Sequence, residues 1–220
     1  MTIKTLSVGN MGNNCYIIYD DSSRKAAVID APTDAGVILK ALSDNKLICA
    51  HILLTHSHYD HIGALDEIKS ATNAQICIHE LEASALNDPS TNLARYSGTT
   101  SPVSPADIML KNDDAITIDN VNILVLHTPG HTAGGVCFYC TDASDDSQSA
   151  LFSGDTLFLK DIGRCDLPGG DYSIIKHSIR NKLYILPDET IIYPGHGRSS
   201  TLAYEKHHNN YIRQDWEYEY

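Results

Sequence analysis

The chain has 220 residues, 42% of them apolar and 20% charged, proportions that suit a folded globular chain long enough for a two-layered core. Its formal net charge of −12 opposes phosphate backbones, so nucleic acid is not expected as a partner. No stretch approaches the roughly 20 apolar residues of a membrane helix, and Met1 to Asn10 hold one cation and no long apolar block, so neither a membrane nor a secretory leader is expected.

In chain order, Ile3 to Val8, Cys15 to Tyr19 and Ala26 to Asp30 read as strands, broken by Gly12-Asn13-Asn14 and Asp20-Asp21-Ser22. Thr33 is the expected cap of a helix to about Asp44, with Val37, Ile38, Ala41 and Leu42 at helical spacing. Ile48 to Leu54 is a continuous apolar strand, interrupted only by His51 and expected to be buried on both faces. A helix bearing Ile62, Leu65 and Ile68 follows, then a strand Gln75 to His79 and a short helix Leu81 to Leu86. Asn87 to Asp107 reads as a long loop. Ala115 to Ile118, Val121 to His127, Gly135 to Cys140 and Ala150 to Ser153 read as strands, with Asp142 to Ser149 a polar turn. Ser173 to Leu183 is an expected helix, Thr190 to Tyr193 a strand, and Leu202 to about Ile212 a final helix. No linker or repeat interrupts this order, so one domain over 1–220 is expected.

The six cysteines, Cys15, Cys49, Cys77, Cys137, Cys140 and Cys165, sit mostly in apolar runs, as packed thiols do. Cys137 and Cys140 have C-x-x-C spacing, but residues three apart on a strand face opposite sides. Core packing in a reducing cytoplasm is therefore the expectation.

The histidines are more informative. Of eleven, His56, His58 and His61 crowd into one six-residue segment with Asp60. In an extended segment His56 and His58 point the same way, while Asp60 and His61 fall at the turn into the next helix, where small Gly63 and Ala64 would let that helix start close to a site. Three more segments end an apolar strand in a ligand-type residue beside a Gly-containing turn: Thr128-Pro129-Gly130-His131, Ser153-Gly154-Asp155 and Pro194-Gly195-His196-Gly197. Seven ligands exceed what one tetrahedral ion takes and fit two. The natural partition gives His56, His58 and His131 to a first divalent ion and Asp60, His61 and His196 to a second, with Asp155 bridging. Zinc suits these donors, and iron or manganese is also admitted. His51, His79, His127, His177, His207 and His208 are read as bystanders.

His56-x-His58-x-Asp60-His61, followed in order by His131, Asp155 and His196, resembles the signature of the metallo-β-lactamase superfamily. Thr128 to Thr132, Gly154-Asp155-Thr156-Leu157-Phe158, Gly163-Arg164-Cys165-Asp166-Leu167-Pro168-Gly169-Gly170 and Pro194 to Gly197 are similar to small glyoxalase II-like hydrolases. The resemblance implies an α/β fold, an αββα four-layer sandwich with the metals at one edge of the two sheets. It also implies hydrolysis of a small-molecule thioester such as S-lactoylglutathione by a hydroxide shared between both ions. In that reaction Asp60 is the expected catalytic residue, orienting the nucleophile and shuttling its proton. Arg164 is a candidate substrate contact, its alternative being a structural pair with Asp166 or Asp161. Asp30 is a candidate supporting carboxylate for a ligand loop, its alternative being a turn cap. Glyoxalase II carries a C-terminal helical extension that helps to hold glutathione; here the chain ends in the acidic, aromatic Trp216 to Tyr220, without a basic grip. The rival readings are a persulfide dioxygenase-like oxidoreductase holding one iron on His56, His131 and Asp155, a nucleic-acid phosphodiesterase, a lactonase or β-lactamase, and a non-catalytic metal-binding protein.

Overall fold

Most strands of this chain are apolar on both sides, and the computed structural model shows where each side goes. It describes residues 1–9, 11–97 and 103–212; the tail from Trp216 to Tyr220 lies outside them. The first sheet runs β1 (Thr2–Val8), β2 (Asn13–Tyr19), β3 (Lys25–Ile29), β4 (Ile48–Leu53), β5 (Gln75–His79), β6 (Ile108–Leu110), in that spatial order. Its β1–β2–β3 pairings are antiparallel and the rest parallel. The second sheet contains β7 (Ala115–Ile118), β8 (Val121–His127), β9 (Val136–Asp142), β10 (Asp145–Gly154), β13 (Ile191–Pro194) and β14 (Ser200–Thr201), ordered β14-β13-β10-β9-β8-β7. A small hairpin, β11 (Leu157–Phe158) and β12 (Asp161–Ile162), stands apart.

Period-two alternation sorts the side chains into three apolar layers. Ile17, Val28, Ile52 and Ile76 face outward under helices α1 (Ala35–Asp44) and α3 (Leu65–Thr72). Their neighbours Ile18, Ala27, Leu53 and Cys77 face inward and meet Val125, Phe138, Ala150 and Phe152 of the second sheet. Leu126, Cys137 and Leu151 face the other way, under α5 (Tyr172–Ser178) and α6 (Leu202–His208). The result is the expected αββα sandwich. Cys137 and Cys140 fall in different layers, as strand geometry requires. Among the described residues no helix is long and apolar enough to cross a membrane.

Several local expectations are corrected. Thr33 does not cap α1: the helix starts after Asp34, which is left-handed at φ 64° and makes no side-chain cap. Its carboxylate instead holds the Gly9 N–H at 3.0 Å. Leu81 to Leu86 forms turns and a single 3₁₀ turn at Ala85–Asn87, because Glu82 is drawn inward to other partners. The long loop contains a short helix, α4 (Ala94–Ser97), and runs directly into β6. Asp142 to Ser149 is a hairpin whose strands pair out to Asp142 and Asp145. Asp171 caps α5, which starts at Tyr172, one residue before Ser173, by accepting the Ile174 N–H at 2.9 Å, and beyond Ser178 the helix widens into a π turn at Ile179–Leu183. Ile48 is 65% exposed although the rest of β4 is largely covered.

The topology places the site. β8, β10 and β13 run in one direction, since β9 is antiparallel to β8 and β10, and β13 is parallel to β10. Their C-terminal ends share one edge of the sandwich, where a bridge between Asn13 and His196 joins them to the start of β2. The parallel β3 and β4 end there too, and the Thr55 carbonyl accepts Val136 N–H across the sheets at 2.9 Å.

Candidate metal centre

All seven predicted ligands converge at this edge. His56 and His58 follow β4, with ring centroids 4.6 Å apart. Asp60 and His61 lie in the one-turn helix α2 (Tyr59–Ile62), and His131, Asp155 and His196 follow β8, β10 and β13. His56, His58 and His131 offer ligand atoms within 4.8 Å of one another, and so do Asp60, His61 and His196. His58 Nδ1 lies 3.0 Å from His131 Nε2. Asp155 reaches both groups: its Oδ2 is 3.7 Å from His131 Nε2 and 3.7 Å from His196 Nε2, and its Oδ1 is 3.5 Å from His61 Nε2.

Buried polar atoms without partners test whether cations fit here. His56 Nε2, His61 Nε2 and Asp155 Oδ1 are buried without a hydrogen bond, and these three residues also converge within 4.8 Å. Each such atom left bare costs on the order of 1–3 kcal/mol, which coordination removes. The site is therefore a His/Asp cluster able to bind metal ions.

Electrostatics agrees with that donor chemistry at His56 and His58. Burial, reinforced by neighbouring histidines, pushes His56 well below the usual imidazole range and His58 down to about 3, keeping both neutral as ligands must be. Burial also opposes charge on His61, but Asp155, Asp30 and Asp60 outweigh it and lift this residue to about 10. Burial would raise Asp60; hydrogen bonding from His196 and Asn13 and the His61 charge overcome it and hold the carboxyl well below the carboxylate range.

The orienting contacts are the part that sequence reasoning mostly missed. Asp30 Oδ2 accepts from His61 Nδ1 at 2.9 Å and from Thr55 Oγ1 at 2.9 Å, while Oδ1 accepts the Thr55 N–H at 2.8 Å. Having donated its proton to Asp30, the Thr55 hydroxyl accepts from His56 Nδ1 at 3.0 Å. Asp30 thus fixes the tautomers of two histidines, one directly and one through Thr55. His131 Nδ1 donates to the main-chain carbonyl of Arg164 at 2.8 Å, leaving Nε2 free to ligate. The Arg164 guanidinium is paired bidentately with Asp166, at 2.7 and 2.9 Å, with both side chains exposed. Asn13, read from sequence as a turn residue, donates Nδ2 to Asp60 Oδ2 at 2.9 Å and to the Asp60 carbonyl at 3.0 Å. Glu82, 3% exposed, holds Ser57 N–H and Gly134 N–H at 3.0 and 2.8 Å, tying two ligand loops together. The small Gly63 serves the opposite side, 3.2 Å from Thr33 Cγ2 for an added Cβ, rather than the cluster. None of the bystander histidines joins the cluster; His79 and His127 stack on each other, centroids 4.1 Å apart.

One glycine is dictated by the cluster itself. A Cβ on Gly195 would lie 2.3 Å from Asp155 Oδ1 and 2.8 Å from His61 Cε1. Gly195→Ala is expected to displace one of these side chains and cut metal affinity at least tenfold, measured by competition with a chromogenic chelator. Wild-type affinity in that variant would show that the contact is slack.

Comparison with known proteins agrees. The family model described as the metallo-beta-lactamase superfamily matches residues 8–196. The chain is similar to the hydroxyacylglutathione hydrolase GloC of Haemophilus influenzae, 32% identical over 214 residues that cover 96% of this chain and 98% of that protein. It is 32% identical over 213 residues to the probable metallo-hydrolase YqgX of Bacillus subtilis, covering 96% and 98%. Among solved structures it resembles the B3 metallo-beta-lactamase BLEG-1 (TM-score 0.88, 36% identity, 96% of this chain and 99% of that one). It also resembles TTHA1623 in a di-iron-bound form (0.81, 31%, 95% and 100%) and ETHE1 from Myxococcus xanthus (0.79, 27%, 96% and 84%). With the family model spanning the fold and every motif residue gathered at one edge, the chain belongs to the metallo-beta-lactamase superfamily.

Proposed function

We propose that this metallo-hydrolase cleaves thioesters, hydroxyacylglutathione-type esters such as S-lactoylglutathione among them. The observation that carries the reading is Asp155, whose carboxylate faces two complete three-residue groups at once. His56, His58 and His131 would hold one divalent ion and Asp60, His61 and His196 the other, zinc first, with iron or manganese also compatible with the donors. Bound ions supply a water whose pKa falls from about 15.7 to about 7 and a positive field for charge developing on the acyl oxygen. The chain's own part is to keep that chemistry in register. Asp60, steadied by Asn13 and held as a carboxylate, orients the attacking water, whose proton passes to solvent. Asp30, Thr55 and the Arg164 carbonyl keep imidazole lone pairs turned toward the ions. A departing thiolate, whose thiol has a pKa near 8.5, needs no dedicated acid. The relatives named GloC and YqgX, and the di-iron form of TTHA1623, support a two-ion hydrolase.

The test is elemental analysis of the purified protein beside a thioester panel including S-lactoylglutathione. Two ions per chain and thioester turnover without oxygen uptake are expected. A single iron with oxygen consumption on a persulfide would replace the proposal with the oxidoreductase reading that the likeness to ETHE1 allows.

Arg164 separates two roles that one residue carries. Its carbonyl orients His131, which any residue can do, while its side chain is exposed and the residue lines a cleft of about 310 Å³ with Cys165, Tyr172 and Tyr211. In our reading the polar thiol carrier lies along this cleft. Arg164→Ala is therefore expected to leave metal content at the wild-type level and to raise KM for anionic thioesters several-fold. An unchanged KM would assign the guanidinium to its pair with Asp166 alone.

A further inference from the structure

The candidate ligands are unequally covered. His61 is fully buried and His131 nearly so, whereas Asp60 and Asp155 are 14% exposed and His196 26%. Solvent and substrate therefore reach the cluster from the His196 and Asp60 side. Three apolar side chains from separate segments lie near these more open ligands, one beside His196, one next to Asp60 in the chain, and one in contact with the second. Phe158, half-buried at the end of β11, presents its ring edge-on to His196 at 6.4 Å. Tyr59 immediately precedes Asp60 in α2 and is also half-buried. Met11 stands in the β1–β2 turn, two residues before Asn13, whose amide is pinned to Asp60 and lies 3.4 Å from His196 Nε2. The Tyr59 hydroxyl donates to Met11 Sδ at 3.4 Å. That contact joins the turn to the ligand-bearing segment. Met11 is nevertheless 57% exposed. An unbranched, polarisable side chain left open beside a polar centre has area to give to an apolar ligand.

Resting on the thioester reading above, we infer that Met11, Tyr59 and Phe158 form the acyl-binding rim, and that the preferred substrates carry an apolar acyl group rather than a small hydroxylated one. Each methylene laid on a half-open surface of this kind contributes on the order of a twofold gain in binding.

The experiment uses metal-loaded protein and acetyl, butanoyl and hexanoyl thioesters of N-acetylcysteamine, a small neutral carrier. Calorimetric binding of the ketone analogues, in which methylene replaces the thioester sulfur, runs in parallel. In the wild type, kcat/KM and ketone affinity should both rise about 16-fold from acetyl to hexanoyl, twofold for each of the four added methylenes. Met11→Gln keeps the side-chain length but adds a polar head; it should reduce both ratios to about twofold, and Met11→Leu should restore them. A flat series in the wild type, or a Met11→Gln series as steep as the wild type, overturns the rim assignment. Absence of turnover on every ester removes the thioester reading instead, and the ketone affinities then decide the rim by themselves.

Discussion

Asp155→Ala is expected to lose most of its bound metal and to lower turnover on the order of a thousandfold or more, with the fold retained. The carboxylate faces both triads, so its removal weakens two ion sites at once. It also balances charge. Asp155 is the foremost of the carboxylates that raise His61 to about 10, and without it that ring loses much of what offsets its burial. The backbone has little reason to move. Asp155 follows Gly154, left-handed at φ 48° and packed against Thr55, and the Asp155 carbonyl sits under Gly163, where an added Cβ would lie 1.8 Å away. An alanine keeps that main-chain packing. The measurements are metal content by elemental analysis, thioester turnover, and a thermal melt of the metal-free forms. Full metal content with turnover near wild type would refute the bridging position of Asp155.

The fold and the candidate ligands were legible in sequence for the same physical reason. Doubly buried strands write continuous apolar runs, and a parallel arrangement brings their C-terminal ends to one edge, so a ligand-type residue after such a run is already aimed. His56 through His61, His131, Asp155 and His196 all follow this rule. The supporting contacts do not. Asn13 reaches Asp60 and His196 from 47 and 183 residues away, and Glu82 reaches Ser57 from 25. Neither spacing leaves a periodic trace. The carbonyl that orients His131 belongs to Arg164, and a main-chain atom carries no residue identity at all. Secondary-structure expectations failed where a polar side chain left its local role for a distant one. The helix expected to be capped by Thr33 starts after Asp34, whose carboxylate turns to Gly9, and Glu82 abandoned a helix for the ligand loops. Asp30 could be singled out as the acidic end of an apolar strand, although its link to His56 through Thr55 could not.

That link makes Asp30→Asn the sharper test of the orienting layer. Asp30 is 2% exposed and left-handed at φ 56°, a conformation asparagine accepts readily, so the substitution changes hydrogen bonding with little backbone cost. With the amide oxygen still accepting the Thr55 N–H, an NH₂ group replaces the oxygen that received from both His61 Nδ1 and Thr55 Oγ1. Two donors then face each other at His61, and relief requires Nδ1 to give up its proton to Nε2. Nε2 is the buried atom aimed into the cluster, and protonated it no longer ligates. The Thr55 hydroxyl, now accepting from the amide, turns its own proton toward His56 Nδ1 and drives the same tautomer change there. One atom exchange should thus weaken both ion sites, by about 10- to 100-fold in affinity, while the far-ultraviolet dichroism of the protein stays unchanged. Competition titration with a chelator reads the affinity. A variant that binds both ions as tightly as the wild type would show that the imidazoles hold their tautomers without Asp30.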